Sequence, residues 1–236
     1  MSRPRKASRP PRQLYFAYGS NLWLKQMAAR CPDSCYIGRA ILPDHRWQIN
    51  QRGFANIVPA SGFTVHGLVY ELRAGDEARL DRSEGVSSQA YSKAYKPVLL
   101  HCASAALQLP IRWLIEDGGP EKAIVLAQQK RMSTSEPTAQ LEPNVLVYIS
   151  ENFVRSGQAR DEYIDRMNSG IRDAVSMGVP NDFFENAIRE WIPNRPALRH
   201  TTRRVSPRHS YTISQTHTPP RPRRSRMVLS STAEHI

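Results

Sequence analysis

The sequence predicts an α+β domain in which short strands form a closed or strongly curved sheet and helices pack outside it. Strand-like segments, either alternating or wholly apolar, recur through the first 100 residues. Amphipathic helical spacing dominates the later part, up to about residue 193. Between these regions, the stretch at about 97–143 has no clear periodicity, and we interpret it as an insertion.

The charge distribution divides the chain into a domain and two basic tails. The 236 residues carry a net charge of +12. Residues 1–12 contain five basic residues and no acidic one, and residues 194–236 contain nine arginines and one glutamate, so residues 13–193 carry a net −1. We therefore predict a folded domain at 13–193 and disordered tails at 1–12 and 194–236. This balance argues against nucleic-acid binding by the domain, whereas the tails keep that alternative open.

Cysteine usage and hydropathy indicate the compartment. Cys31, Cys35 and Cys102 are too few for a disulfide framework and have no matching metal-ligand cluster, so we expect reduced thiols and no metal. The sequence has no apolar run of membrane-spanning length, and its beginning lacks the apolar core of a signal peptide. We expect a cytoplasmic protein with no membrane partner. The pattern does not decide between a monomer and a homodimer.

The segment Leu14–Leu22, which reads LYFAYGSNL, predicts a strand and a tight turn, and a helix follows it to Arg30. Ser20 and Asn21 are residue types that cap helix N-termini, and Gly19 can adopt backbone conformations that strain other residues. Such a turn directs unpaired N–H groups and the positive end of a helix dipole to one place, which suits a carboxylate or a phosphate. A plain helix cap is the alternative.

The remaining elements follow from the same rules. The predicted later strands lie at 36–42, 46–50, 53–59, 67–72, 91–100 and 144–149. The segment 76–86 predicts a short helix that Gly85 ends, so that Glu84 is its last residue. Two further helices are predicted, one from Tyr163 to the glycine at 178 and one after Pro180.

Three motifs resemble the γ-glutamylcyclotransferase and AIG2-like family. They are the opening Tyr-x-x-Tyr-Gly-Ser-Asn-Leu at 15–22, Leu-Asp-x-x-Glu-Gly-Val at 80–86, and Gly-x-Pro at 178–180 with Phe184 beyond it. Their order and rough spacing agree over about 14–193. The resemblance implies a small, strongly curved mixed β-barrel with surrounding helices. It also implies an enzyme that forms 5-oxoproline and a free amine from a γ-glutamyl amide, without metal or cofactor.

The resemblance assigns the acid/base role to Glu84. In this reaction the α-amine of the substrate attacks its own γ-carbonyl, so the enzyme needs to fold the substrate and to move a proton, and no enzyme nucleophile is required. A carboxylate at a helix C-terminus feels the negative end of the dipole, and burial would raise its pKa further. A solvated glutamate in a charged helix is the alternative.

The resemblance also implies a set of substrate-contacting residues. Tyr148 is the best positional match to a tyrosine that hydrogen-bonds the substrate, although a core tyrosine is an equal alternative, and Tyr91 is a lesser candidate. The implied substrate-binding residues are Tyr15, Phe16, Ala17, Tyr18, Gly19, Ser20, Asn21 and Tyr148.

Departures from the family pattern leave the substrate open. Ser83 stands where such enzymes often have glutamine, and Asn21 stands where the glutathione-degrading branch usually has leucine. γ-Glutamyl amino acids, γ-glutamyl conjugates of larger amines and the glutathione adducts of secondary metabolism are all compatible. A non-catalytic AIG2-like binding protein is the alternative from another class. Glu84 disfavours it, because a binder of anions gains nothing from an unpaired carboxylate in its pocket.

Overall fold

The computed structural model describes residues 12–116, 118–121, 124–125 and 139–195. Two short 3-10 turns, at Ser20–Leu22 and Val86–Ser88, accompany the regular elements. The strands and helices are β1 (Leu14–Ala17), α1 (Leu24–Arg30), β2 (Cys35–Ile49), β3 (Ala55–Glu71), α2 (Asp76–Glu84), β4 (Ser92–Cys102), α3 (Ile111–Glu116), β5 (Gln140–Ile149), α4 (Asp161–Ser176) and α5 (Asn181–Ala187). None of the helices in these ranges is long and apolar enough to cross a membrane.

The strands form a closed barrel in the order β1-β3-β2-β4-β5. Every neighbouring pair is antiparallel except β1 and β5, which run parallel and close the barrel where Tyr15 pairs with Leu146. Closure removes the exposed sheet edges that an open sheet of this size would leave. The predicted α+β class and the mixed barrel with surrounding helices are confirmed.

The two longest strands differ from the prediction. The sequence divides 36–50 and 53–72 into four strands, whereas β2 and β3 each run without interruption along one another. The breaks predicted from Pro43 and its neighbours are absorbed by a bulge, because the register shifts between Pro43 and His45 and the intervening Asp44 has a φ of 55°. The bulge bends the ladder without ending it, so one long hairpin supplies two of the five barrel strands described.

Helix α4 holds the opening turn in place. Gly170 lets this helix approach closely, because a Cβ atom at that position would lie 2.9 Å from the backbone nitrogen of Trp23. The Oδ2 atom of Asp173 accepts a hydrogen bond of 2.8 Å from the backbone N–H of Leu24, the first residue of α1. The turn is therefore positioned by a helix that begins 140 residues further along the chain.

Helix α2 ends as predicted. Gly85 follows it with a φ of 67°, a left-handed conformation that favours glycine, and Glu84 is the last helical residue. The last turn of the helix therefore presents Glu84 beside the next loop, Val86–Ser88.

The described residues cover part of the predicted insertion and only the inner edges of the predicted tails. The barrel strands β4 and β5 extend into the segment 97–143, so only residues 103–139 lie between them, and part of that segment is outside the described residues. The predicted tails at 1–12 and 194–236 also lie almost wholly outside the described residues. At their edges, Arg12 pairs with Glu71 at 2.9 Å and Arg195 pairs with Asp161 at 2.8 Å. The contacts of the domain therefore extend past the predicted limits of 13 and 193.

Candidate active site

A cavity of about 290 Å³ opens between the turn after β1 and the end of α2. Six of the eight predicted substrate-binding residues line it, together with the predicted acid/base. These residues are Tyr15, Tyr18, Gly19, Ser20, Asn21, Tyr148 and Glu84. The opening turn and Glu84, which the sequence singles out separately, thus line the same cavity.

Phe16 and Ala17, the two other predicted contacts, do not line the cavity. Both are completely buried in the core. Strand β1 lies between β3 and β5, and the Phe16 ring packs at 6.3 Å from the ring of Tyr18 and beneath Gly67, where a Cβ atom would clash with it. The structure therefore assigns these two side chains to packing, because both are completely enclosed by other residues of the core.

Gly19 is required for space and not for an unusual backbone conformation. Its φ of −115° is accessible to other residues, contrary to the expectation from the sequence. A Cβ atom at this position would lie 3.0 Å from the hydroxyl of Tyr163 and 3.3 Å from the Cβ of Ala55. A larger residue would push Tyr163 away from the turn.

The expected side-chain capping by Ser20 and Asn21 is also absent from the start of the turn. Instead, Gln26 donates to the hydroxyl oxygen of Ser20 at 2.7 Å and to Oδ1 of Asn21 at 3.0 Å. The side-chain amide of Asn21 donates to the hydroxyl of Tyr15 at 2.8 Å. The polar side chains of the turn thus form part of the cavity wall, where they orient one another and the residues near Glu84.

Glu84 accepts two hydrogen bonds on a single carboxylate oxygen. Its Oε1 receives Nη1 of Arg30 at 3.0 Å and Nδ2 of Asn21 at 3.3 Å. Nη1 of Arg30 also donates to Oδ1 of Asn21 at 2.9 Å, so the three side chains form a triangle. Among the described residues no hydrogen bond engages Oε2, which leaves that oxygen available to a ligand.

Burial raises the pKa of Glu84 above its ordinary value. Arg30 and the hydrogen bond from Asn21 act in the opposite direction, because both stabilise the charged carboxylate. The net effect is an acid that takes up a proton more readily than an exposed glutamate. The carboxylate is also paired, so the expectation that an unpaired Glu84 disfavours a binding protein is wrong.

Tyr148 faces the cavity from β5 and is held at three points. Its hydroxyl donates to Oδ1 of Asp81 at 2.7 Å, its ring meets the ring of Tyr15 edge-on at 5.8 Å, and its backbone carbonyl accepts from the hydroxyl of Tyr18 at 2.6 Å. Because its own proton is committed to Asp81, the phenolic oxygen can act toward the cavity only as an acceptor. Tyr91 also lines the cavity, with its hydroxyl bonded to the carbonyl of Ala55 at 2.6 Å.

Several lining residues were not found from the sequence. Tyr163 lies against the turn, and burial raises the pKa of its hydroxyl to about 12, while the nearby backbone of Ala55 and Ser20 acts in the opposite direction. Arg30, Arg52, Arg82 and Arg166 also line the cavity. The position of Arg30 at the end of the helix after the motif was the only local signal, and it does not identify a partner 54 residues away.

The barrel and this cavity define the structural class. A closed mixed barrel places several tyrosines and a Gly-Ser-Asn turn beside a partly buried glutamate at the end of a short helix. The family model described as "Gamma-glutamyl cyclotransferase, AIG2-like" matches residues 15–115, which include both the turn and Glu84. The family resemblance that the motifs predict is confirmed over this segment.

Individual relatives agree with the family match. The chain is 32% identical over 88 residues to the gamma-glutamylcyclotransferase of Bos taurus, an alignment that covers 33% of this chain and 47% of the bovine protein. The proteins of the same name from Mus musculus and Homo sapiens match at 33% and 32% identity over 88 residues, with the same coverage of each chain. The chain therefore spans about half the length of the curated relatives that it matches.

Solved structures share the fold over a larger part of the chain. A structure named gamma-glutamyl cyclotransferase superposes with a TM-score of 0.52 at 21% identity, covering 74% of this chain and 85% of that one. A protein from Homo sapiens that is described as uncharacterized superposes with a TM-score of 0.50 at 22% identity, covering 73% and 84%. At this level of identity the likeness concerns the fold.

Proposed function

We propose that the protein is a γ-glutamylcyclotransferase that forms 5-oxoproline and a free amine or amino acid from a γ-glutamyl amide. The observation that carries this proposal is the environment of Glu84 in the cavity. Its pKa is raised by burial, one carboxylate oxygen is held by Asn21 and Arg30, and the other oxygen is not engaged by any described residue. A positioned carboxylate with a raised pKa is suited to take up and return a proton near neutral pH.

In the proposed reaction the α-amine of the substrate attacks its γ-carbonyl carbon. A carbon–nitrogen bond forms within the new five-membered ring, and the original amide carbon–nitrogen bond breaks. Oε2 of Glu84 accepts a proton from the attacking amine, and the same carboxyl group returns it to the departing nitrogen. The cavity contributes by holding the substrate in a bent conformation, since a pre-formed near-attack geometry removes much of the entropic cost of ring closure.

The α-carboxylate of the substrate is proposed to lie beside the opening turn. The N–H groups of Leu22 and Trp23 are used within the 3-10 turn, so they are not available to a ligand. The hydroxyl of Tyr163 lies against the turn, 3.0 Å from the place that a Cβ atom of Gly19 would occupy, and a tyrosine hydroxyl can donate its proton to a carboxylate. This hydroxyl, the backbone N–H of Asn21 and the charge of Arg30 together form the proposed carboxylate site.

A panel of γ-glutamyl compounds tests the proposal. The protein is incubated with γ-glutamyl-alanine, ε-(γ-glutamyl)-lysine, glutathione and an S-substituted glutathione, and 5-oxoproline is quantified by chromatography. We expect 5-oxoproline from at least one compound and none above background with Glu84→Gln. Production from the glutathione adduct alone would identify the adduct-trimming alternative. The absence of 5-oxoproline from every compound would contradict the proposed reaction.

The pairing of Glu84 with Arg30 supports a second candidate, a non-catalytic AIG2-like binding protein. In that case the ion pair would only maintain the pocket, and the cavity would hold a γ-glutamyl group or 5-oxoproline without turnover. Calorimetric titration with γ-glutamyl-alanine distinguishes the two candidates. Stoichiometric binding that leaves the ligand intact after prolonged incubation would favour the binding protein, whereas conversion of the ligand favours the enzyme.

A further inference from the structure

The cavity carries more positive charge than one α-carboxylate requires. Four arginines line it, at positions 30, 52, 82 and 166, whereas Glu84 is the one acidic residue that lines it in the described part of the chain. A pocket for a γ-glutamyl group with a neutral leaving amine needs to balance only one ligand carboxylate. The excess of arginines therefore points to a second anionic group on the ligand.

Arg52 is held in place by two aromatic rings and has no acidic partner among the described residues. It lies in the turn between β2 and β3, and its guanidinium carbon is 4.9 Å from the ring centroid of Phe153 and 5.9 Å from that of Phe54. Its backbone N–H donates to Oδ1 of Asn50 at 3.0 Å, and its carbonyl accepts from Nε of Arg160 at 2.9 Å. The backbone is fixed and the cation is stacked, so binding a ligand would cost little further ordering of this side chain.

Two of the three other arginines of the cavity are already paired, and the third, Arg82, is exposed on α2. Arg30 pairs with Glu84 at 3.0 Å, and Arg166 pairs with Glu162 at 2.9 Å. No ion pair within residues 12–116 or 139–195 involves Arg52. A planar guanidinium that lacks an acid can bind a ligand carboxylate through two parallel hydrogen bonds.

Arg52 also lies toward a different part of the cavity from the proton-transfer site. Arg30 and Arg166 are the arginines with the largest effects on the pKa of Glu84. Tyr91 lines the cavity together with Arg52 and Glu84, and its hydroxyl donates to the carbonyl of Ala55, the residue after the Phe54 whose ring lies beside the Arg52 guanidinium. A substrate whose α-carboxylate and reacting atoms lie beside Asn21 and Glu84 would extend past Tyr91 toward Arg52.

We propose that Arg52 is a specificity residue that binds a carboxylate on the leaving amine. This inference rests on the proposed cyclotransferase function and defines its substrate class as γ-glutamyl amides whose amine part carries a free carboxylate, in preference to those of neutral or cationic amines. The guanidinium of Arg52 would form a bidentate pair with that carboxylate, and the rings of Phe54 and Phe153 would keep the guanidinium plane aligned with it.

A matched pair of substrates tests this role. We compare kcat/KM for γ-glutamyl-alanine and γ-glutamyl-alaninamide, which differ only in the charge of the leaving group. The wild type should prefer the acid by about tenfold or more, since an unpaired guanidinium loses its partner in the amide. Arg52→Gln should lower the value for the acid to about that for the amide, and Arg52→Lys should retain part of the preference because it keeps the charge without the planar fork.

Arg155→Gln is the control, because Arg155 is exposed in the same loop as Phe153 and does not line the cavity. It should keep the full preference for the acid. Equal kcat/KM values for the two substrates in the wild type, or an unchanged preference in both Arg52 variants, would overturn the proposal. Thermal unfolding verifies that each variant is folded. If Arg52→Gln is not folded, the substrate preference of Arg52→Lys decides whether Arg52 binds the leaving-group carboxylate.

Binding measurements separate this inference from the proposed function. The affinities of the acid and the amide are measured calorimetrically for Glu84→Gln, with and without Arg52→Gln. If neither these two compounds nor any compound of the panel yields 5-oxoproline in the wild type but the acid binds about tenfold more tightly through Arg52, the reaction is wrong and the anionic subsite stands. If 5-oxoproline forms and the two compounds bind equally, the subsite is overturned and the reaction stands. If no 5-oxoproline forms and the two compounds bind equally, both the proposed reaction and the anionic subsite are overturned.

Discussion

Helix α2 carries two carboxylates three residues apart that lie in different environments. Asp81 accepts from the hydroxyl of Tyr148 and pairs with Lys93 at 3.1 Å, while Glu84 accepts from Asn21 and pairs with Arg30 at 3.0 Å. The side chain of Asp81 is 27% exposed and that of Glu84 is 17% exposed. Glu84 also lines the cavity beside the opening turn, whereas Asp81 lines a separate groove beside Arg12 and Glu71.

This comparison shows that pairing with a cation does not by itself distinguish a structural acid from a reactive one. Both carboxylates have a donor and a cation within hydrogen-bond distance. The difference is that both oxygens of Asp81 are engaged, one by Tyr148 and one by Lys93, whereas Oε2 of Glu84 is engaged by no described residue. Burial and one available oxygen are therefore the features that make Glu84 the candidate base.

The largest expected effect comes from Glu84→Gln. The amide keeps the shape of the side chain and cannot accept the proton, so kcat should fall by about 10² or more while substrate still binds. Steady-state kinetics and calorimetric binding together check this result. Asp81→Asn is the matched control on the same helix. Equal losses of kcat in the two variants would contradict the distinction between the two acids.

Arg30→Gln tests how the ion pair adjusts Glu84. Arg30 favours the charged carboxylate, so its removal should raise the pKa of Glu84 further. A base must be deprotonated to act, and activity is therefore lost as pH falls through that pKa. The acidic limb of the kcat/KM profile should move to higher pH by about 1 unit, which gives about a tenfold loss near pH 6.

The control for this profile is Arg155→Gln, which removes the same charge outside the cavity. It should leave the acidic limb where it lies in the wild type. A limb that stays in place in Arg30→Gln, or one that moves to lower pH, would show that the limb does not report Glu84.

Asp173→Asn isolates the effect of burial on a carboxylate. Burial raises the pKa of Asp173 to about 6, although its bond from the N–H of Leu24 acts in the opposite direction. Because the folded-state pKa is raised, the charged form opposes folding above pH 6, and this cost disappears below the unfolded pKa near 3.8. Asparagine can still accept from Leu24, so the variant should be more stable at pH 8 by about 1 kcal/mol.

Urea unfolding at pH 8 and at pH 4 measures this change. The gain should shrink at pH 4, where the aspartate of the wild type is largely protonated in the folded state. A loss of stability at pH 8 would mean that the charged bond to the start of α1 outweighs the cost of burial.

The smallest effect is expected from Asp81→Asn. Lys93 is 34% exposed and retains its contact of 2.9 Å with Glu77, so the free energy of unfolding should change by less than about 1 kcal/mol. The hydroxyl of Tyr148 can still donate to the amide oxygen, and kcat should fall only a few-fold. Circular dichroism during thermal unfolding and steady-state kinetics check both expectations. A loss comparable to that of Glu84→Gln would show that Asp81 takes part in the proton path.

Much of the site was predictable because its signals are local in the chain. The strand that ends before Gly19 and the helix that ends just before Gly85 follow from short patterns of apolar spacing and glycine placement. These two patterns locate the turn and Glu84 at their places in the sequence. The family resemblance then associates them with one cavity, and the structure brings them together.

The sequence alone determined the type and order of most elements, the turn and the helical position of Glu84, since these depend on residues within a few positions of one another. Tertiary structure decided that Phe16 belongs to the core, that Arg30 meets Glu84, and that Arg52 has no acidic partner among the described residues. These outcomes depend on the bulge in β2, the parallel closure of β1 against β5 and the packing of α4 on the turn. Such contacts join distant parts of the chain, and their geometry depends on register and closure, which local periodicity does not specify.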